Sequence, residues 1–308
     1  MAPILHTLEV IRFLRTTIFV VALLIPNAAL HCQSPAWANG LRQIADAAPE
    51  ARAVVLDVQS GRILAARHLP QLARTLAAPG STLKPILLFQ SLQSNQWSPD
   101  RRVFCPRDLT IHNHSLACSH PLAPPFAARE ALAWSCNTYF AELARAIPPN
   151  HLLDMLRPTG ILEPTRLVPA EAIAEFHSPQ TTEEMQLAVL GVEGLKITPL
   201  ELAVAYRWLA MRMIANPTST ATTTVLGGLS DSASFGMASQ AGSGRVSIAG
   251  KTGTAKGARS RQTHGWFVGL APASSPEIVV VIYLPTGRGA DAAYLAGILL
   301  SHSPMVHK

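Results

Sequence analysis

The sequence predicts an α+β fold built on an antiparallel sheet. Strand-like runs lie near both ends of the chain, at 53–58 and 63–66 and again at 264–270 and 278–283. Helical patterns fill the interval, so the two ends must share one sheet. The 308 residues, 48% hydrophobic and 14% charged, are ample for a packed core with a lobe added.

The chain opens on what reads as an export signal. Arg12 and Arg15 precede an apolar run over 16–30, and Ala36-Trp37-Ala38 places small residues before an expected cut at Asn39. The run is short for a bilayer span, and Pro26-Asn27 interrupts it. An uncleaved anchor stays open beside it. The expected division is a signal peptide or membrane anchor over 1–38 and one domain over 39–308, meeting a membrane only through the N-terminal segment if that is uncleaved. The formal charge is +6, with no basic run interleaved with aromatics, so nucleic acid is not the expected partner.

The first strand pair reads as a hairpin turning at 59–62. Next comes Pro79-Gly80-Ser81-Thr82-Leu83-Lys84-Pro85, read as the start of an apolar helix through Phe89. Residues three apart share a helix face, which aims Ser81 and Lys84 the same way. A serine hydroxyl needs a base to become a nucleophile, and a lysine serves only if burial or a second cation disfavours its charge. At a helix start the backbone N–H of Ser81 is free for a developing oxyanion. Ser-x-x-Lys alone occurs by chance, but lysine is scarce here. The chain holds five lysines among 25 basic residues: Lys84, Lys196, Lys251, Lys256 and Lys308. Arginine cannot be deprotonated, so it cannot replace a lysine that works as a base.

A turn-rich region over 98–125 follows, carrying Cys105, Cys118 and His120. A helix over 127–134 is expected to stop at Ser135-Cys136-Asn137 and to resume over 138–147. That triplet reads either as a helix cap or as a short loop offering a hydroxyl and an amide to the Ser81 cleft. The stretch 148–180 is loop-rich. Thr198-Pro199-Leu200-Glu201 opens a core helix with a capping box. The Thr-, Ser-, Ala- and Gly-rich stretch 216–247 reads in part as a mobile loop. Lys251-Thr252-Gly253-Thr254 then reads as an edge strand. Its free N–H and C=O groups can pair with an extended peptide, Gly253 lets a ligand approach, and Lys251 with the threonine hydroxyls can hold a carboxylate. An apolar helix over 292–300 closes the chain.

Ser81-x-x-Lys84, Ser135-x-Asn137 and Lys251-Thr252-Gly253, in this order, resemble the three motifs of penicillin-binding proteins and serine β-lactamases. The surrounding residues strengthen the resemblance, among them Pro79-Gly80, Thr138-Tyr139-Phe140, Thr198-Pro199-Leu200, Thr254-Ala255 and Trp266-Phe267-Val268-Gly269. It spans about 52–301. It implies a five-stranded antiparallel sheet flanked by helices, a helical lobe, and the active-site cleft between them. It also implies the roles. Ser81 attacks the D-Ala–D-Ala carbonyl and forms an acyl-enzyme, and Lys84 is the base. Ser135 relays the proton to the leaving amine, and Asn137 holds the substrate amide. Lys251 and Thr252 position the terminal carboxylate, while the N–H groups of Ser81 and Thr254 form the oxyanion hole.

Peptidoglycan stem peptides and β-lactam antibiotics are the implied partners, outside the bacterial cytoplasmic membrane, with no cofactor for catalysis. The first reading is a D,D-transpeptidase or D,D-carboxypeptidase. A β-lactamase and a penicillin sensor that acylates and stops remain the alternatives. No Glu-x-x-Leu-Asn occurs over 160–193, and the second motif is Ser-x-Asn rather than Ser-x-Val, which favours transfer over fast hydrolysis.

The cysteines leave two readings. Loss of Cys32 with the signal leaves three. Export favours a Cys105–Cys118 disulfide, worth roughly 3 kcal/mol. Alternatively Cys105, Cys118, His120 and Cys136 form a closed structural zinc site, because Cys136 must face away from the cleft if its two neighbours face into it. Zinc would require ligand atoms within about 4 Å of one another.

Overall fold

The computed structural model describes residues 35–148, 150–256 and 262–305. The apolar run of the expected signal lies outside them. In chain order come α1 (Pro35–Ala47), β1 (Arg52–Asp57), β2 (Ile63–Arg67) and α2 (Leu69–Arg74). A 3-10 turn (Gly80–Leu83) leads into α3 (Lys84–Gln93). The hairpin β3 (Thr110–Ile111) and β4 (His114–Ser115) precedes α4 (Ala128–Ala133), α5 (Asn137–Ala146) and α6 (His151–Leu156). Then follow β5 (Glu175–Phe176), α7 (Thr182–Val189), β6 (Leu195–Lys196), α8 (Pro199–Ala215) and α9 (Thr220–Ser234). The chain ends on β7 (Ala249–Lys256), β8 (Thr263–Ala271), β9 (Ile278–Leu284) and α10 (Gly289–Ser301).

The main sheet has five strands in the order β2-β1-β9-β8-β7, and every pairing is antiparallel. The predicted α+β layout holds, with the two ends of the chain in one sheet. Side chains alternate across a strand, and the core divides accordingly. Val54, Leu56, Val279 and Val281 face the helical lobe, while Ala53, Val55, Val280 and Ile282 face the side covered by α1 and α10. With both faces covered, β9 is buried along its whole length. That explains its unbroken apolar run where a half-exposed strand would alternate. β7 is the edge strand, as its reading required.

Three local findings bear on the sequence reading. The capping box of α8 forms as expected: Thr198 Oγ1 accepts from Glu201 N at 3.1 Å, and Thr198 N donates to Glu201 Oε2 at 2.8 Å. Within the stretch 216–247, expected in part as a mobile loop, residues Thr220–Ser234 form the helix α9. Thr and Gly are weak helix formers, but Ser219 caps the helix and its small residues let it seat closely on α4. A Cβ at Gly228 would come 3.0 Å from the Arg129 carbonyl and from Leu132. Lastly, the expected cut before Asn39 falls inside α1, whose Trp37 is 2% exposed within the core facing α10. Cleavage there would pull an indole out of the folded domain, at a cost of about 3–5 kcal/mol by analogy with truncating a buried Trp. Among the described residues no helix is long and apolar enough to cross a membrane.

Candidate active site

The residues of the three motifs come together from three elements. Ser81 sits in the 3-10 turn and Lys84 opens α3, so the expected single helix is a tight turn feeding an α-helix. Several bonds pin this turn. Gly80 N donates to the Gly191 carbonyl at 2.9 Å, and Tyr206 of α8 donates its hydroxyl to the Thr82 carbonyl at 2.8 Å. His264 Nε2 and Trp266 Nε1 both reach the Ala78 carbonyl, at 2.8 and 2.9 Å. Burial holds His264 below the usual imidazole range, so the neutral ring donates there. Gly80 and Trp266 stood out in the sequence, but none of these contacts was legible there, since each joins residues far apart in the chain.

Lys84 is fully buried. Its Nζ donates to the Ser135 carbonyl at 2.9 Å, to Asn137 Oδ1 at 2.6 Å and, more weakly, to Ser135 Oγ at 3.4 Å. Burial pulls its pKa down to about 8, partly opposed by the Cys118 and Cys136 thiols behind it. Lys251 is also fully buried. Its Nζ donates to Ser135 Oγ at 2.8 Å and to the Thr252 carbonyl at 2.9 Å. Burial, helped by the Lys84 charge, drives its pKa well below the ordinary lysine value. Desolvation, one of the two conditions for a lysine base, is thus present at Lys84, and the neighbouring ammonium adds to it at Lys251.

Ser135 joins the two lysines, and its backbone is unusual. It adopts φ 56°, a left-handed conformation that costs a non-glycine residue about 1–2 kcal/mol. The cause is the end of α4. Ser135 N donates to the Leu132 carbonyl at 3.2 Å and Cys136 N to the Ala131 carbonyl at 2.9 Å. This pair of bonds is a Schellman closure, in which glycine usually fills the place of Ser135. The closure turns the hydroxyl toward both ammonium groups. Ser135→Gly and Ser135→Ala both remove that hydroxyl, yet only alanine keeps the strain. The glycine variant is therefore expected to be the more stable of the two by about 1 kcal/mol in urea unfolding. Equal midpoints would refute the strain.

Three further residues with expected roles have definite partners or burial. Asn137 is already held at both ends, accepting from Lys84 and donating through Nδ2 to the Leu116 carbonyl at 2.9 Å. Thr252 is buried, with its hydroxyl 3.5 Å from the Met237 carbonyl. Thr254 is the exposed hydroxyl of this strand, and it accepts from Gly289 N at 2.9 Å where α10 begins. Among the described residues Ser81 Oγ has no hydrogen-bond partner, and Lys84 leans to Ser135 and Asn137 instead.

β7 lies directly against the serine turn. A Cβ at Gly253 would meet the Pro79 carbonyl at 2.7 Å, and one at Gly80 would come 3.2 Å from Thr254 N. The Thr254 backbone is thereby brought beside the residue that precedes Ser81. Behind the cleft lie Cys105, Cys118, His120 and Cys136, all buried, with one ligand atom from each within 4.8 Å of the others. The alternative Cys105–Cys118 disulfide is not formed, and all three cysteines are free thiols. The thiols lie side by side with a ring nitrogen in a shared cluster instead of forming an isolated bonded pair.

Residues 51–300 match the family model described as the penicillin binding protein transpeptidase domain. The chain belongs to this family. Among curated relatives, this transpeptidase domain is 27% identical over 248 residues to the peptidoglycan D,D-transpeptidase PbpA of Mycolicibacterium smegmatis. That match covers 68% of the chain and 50% of the relative. It is 26% identical over 246 residues to PbpA of Mycobacterium tuberculosis, again 68% of the chain and 50% of the relative. The chain thus spans about half the length of the curated relatives it matches. The fold is shared with the transpeptidase domain of Burkholderia pseudomallei penicillin-binding protein 3, at TM-score 0.75 and 21% identity, over 87% of this chain and 90% of that one. A peptidoglycan glycosyltransferase structure from Burkholderia ambifaria superposes at TM-score 0.74 and 20% identity, over 87% and 91%.

Proposed function

We propose that this transpeptidase domain is a serine acyltransferase acting on D-Ala–D-Ala stem peptides of peptidoglycan and acylated by β-lactams. The observation that carries the reading is the convergence of two fully buried lysines on one serine hydroxyl, beside the Ser81 turn. Ser81 Oγ attacks the penultimate D-Ala carbonyl carbon while neutral Lys84 Nζ takes its proton. The N–H groups of Ser81 and Thr254 bind the oxyanion. Ser135, with Lys251 behind it, passes a proton to the departing D-Ala nitrogen as the C–N bond breaks. An ester on Ser81 remains. An acceptor amine then attacks it, giving transpeptidation, or water does, giving carboxypeptidation. The incoming chain pairs with the open edge of β7, and the exposed Thr254 hydroxyl suits its terminal carboxylate better than buried Thr252 does.

Transfer is favoured over a β-lactamase mechanism. Among the described residues no carboxylate hydrogen-bonds Ser81, Lys84, Ser135 or Lys251. Glu171 is committed to its own loop, accepting from the backbone of Thr165, Leu167 and Val168. The substrate implies action outside the cytoplasm. We infer that residues upstream of Pro35 serve as the export signal or anchor, and that the folded domain begins with α1.

A fluorescent penicillin tests the reading. The label is expected to persist on the wild-type chain and to be absent from Ser81→Ala. Release of the acyl group within seconds would point to a β-lactamase, and equal labelling of Ser81→Ala would remove the nucleophile assignment.

A further inference from the structure

We propose that Cys105, Cys118, His120 and Cys136 bind a structural Zn2+ that staples the base of the β3–β4 hairpin to the back of the Ser135–Asn137 loop. The three sulfurs and a ring nitrogen lie within 4.8 Å of one another, and the Cys118 and Cys136 sulfurs are 4.0 Å apart. A tetrahedral Cys3His site, with Zn–S about 2.3 Å and Zn–N about 2.0–2.1 Å, puts ligand atoms roughly 3.6–3.8 Å apart. Side-chain rotations of about 1 Å close the cluster onto that geometry.

His120 supplies the second observation. It is 2% exposed, and its Nε2 is buried without any hydrogen-bond partner. Its Nδ1 lies 2.7 Å from the Pro121 carbonyl, which can only accept. The proton therefore sits on Nδ1, and Nε2 holds a lone pair with no donor. An orphaned buried acceptor is costly, and this is the tautomer that ligates metal through Nε2. Phe126 packs edge-on to the ring, 4.8 Å between centroids, and fixes its plane.

The sulfurs are prepared in the same way. Cys118 Sγ accepts from Asn137 N at 3.1 Å, and Cys105 Sγ lies 3.3 Å from Thr138 Oγ1. Cys136 stands at the N-cap position of α5 with no capping hydrogen bond from its side chain, which leaves its sulfur to the cluster. Four protein ligands with no open position make a closed, structural site rather than a catalytic one. On binding, each thiol gives its proton to solvent and no electrons move. The bound unit carries one net negative charge.

The consequence lies in the loop. Cys136 stands between Ser135 and Asn137, so the metal would hold the strained Ser135 turn from behind. The site does not depend on the acyl-transfer reading, since metal content is measured without a substrate.

The full chain, purified without chelator, is expected to carry about one zinc ion per molecule by elemental analysis. Exchange for Co2+ should give tetrahedral d–d bands and thiolate-to-metal charge-transfer bands. Cys105→Ser and His120→Ala, both outside the cleft, should each lose most of the zinc and alter the cobalt spectrum. The wild-type cobalt spectrum decides the matter if either variant fails to fold. Chelation should slow penicillin labelling and zinc should restore it. A reduced wild-type chain that takes up neither metal overturns the site. So does an intact mass two hydrogens light, which would mean a disulfide, or a His120→Ala variant with full zinc and an unchanged spectrum.

Discussion

Lys84→Arg is expected to lower the rate of acylation by penicillin about a thousandfold while leaving a folded chain. Arginine keeps the positive charge but cannot become neutral, so it removes the base alone, and general-base catalysis is worth about 10²–10⁴. The larger side chain enters a fully buried site and should destabilise the fold by about 1–3 kcal/mol. The wild-type pH profile carries the complementary sign. Nζ accepts a proton only when neutral, and its pKa is pulled to about 8. Acylation should therefore rise with pH and level off above about 8, whereas the residual rate of Lys84→Arg should lack that rise. The same shift affects folding in a different window. Between about 8 and the unfolded lysine value near 10.5, the unfolded chain holds the proton and the folded chain does not. Raising the pH there favours the folded state. A Lys84→Arg variant that acylates at the wild-type rate would end the assignment of Lys84 as base.

Gly191→Ala should cost about 3 kcal/mol or more, and with it most of the labelling. Gly191 has φ 68°, and a Cβ there would lie 2.2 Å from the Gly80 carbonyl oxygen and 2.7 Å from Gly80 N. Backbone cannot swing aside as a side-chain tip can. Either the loop after α7 moves or the serine turn moves, and the 2.9 Å bond from Gly80 N to the Gly191 carbonyl breaks. The left-handed strain adds about 1–2 kcal/mol and the overlap a further 1–3 kcal/mol. Gly194→Ala is the control. Its φ is 80°, but its nearest neighbours would be 3.5 Å from the new methyl, so only the strain applies. Thermal unfolding with penicillin labelling separates the two variants. If they lose equal stability and equal activity, Gly191 does not support the nucleophile turn.

The parts of the site legible in the sequence were those written as local patterns. Ser81, Lys84, Ser135 and Lys251 belong to short motifs, and the structure brings Lys84, Ser135 and Lys251 into one hydrogen-bonded cluster beside the Ser81 turn. The α8 capping box is equally local, because Thr198 and Glu201 are three residues apart. What stayed hidden depends on chain folding back on itself. Tyr206 meets the Thr82 carbonyl from 124 residues away, and Trp266 meets Ala78 from 188. No spacing rule reaches that far. The helix α9 was hidden for another reason. Its threonines and glycines argue against a helix, and only close seating against α4 makes them suitable. The strain at Ser135 was invisible because the sequence shows a serine where the geometry asks for glycine.

The sheet order has a bearing on when this domain can fold. β1 finds β2 at once, but its other neighbour is β9, and Arg52 pairs with Tyr283. A ribosome or a translocation channel releases those two residues far apart in time. Until the last strands emerge, the first hairpin offers an apolar, unpaired edge to any neighbour. The pairing also closes a very long loop, which makes for slow folding. A nascent chain ending before Ile278 would lack the centre of its sheet. Such a chain has to be shielded by a chaperone or kept extended, and the folded sheet comes into being only once β9 has emerged.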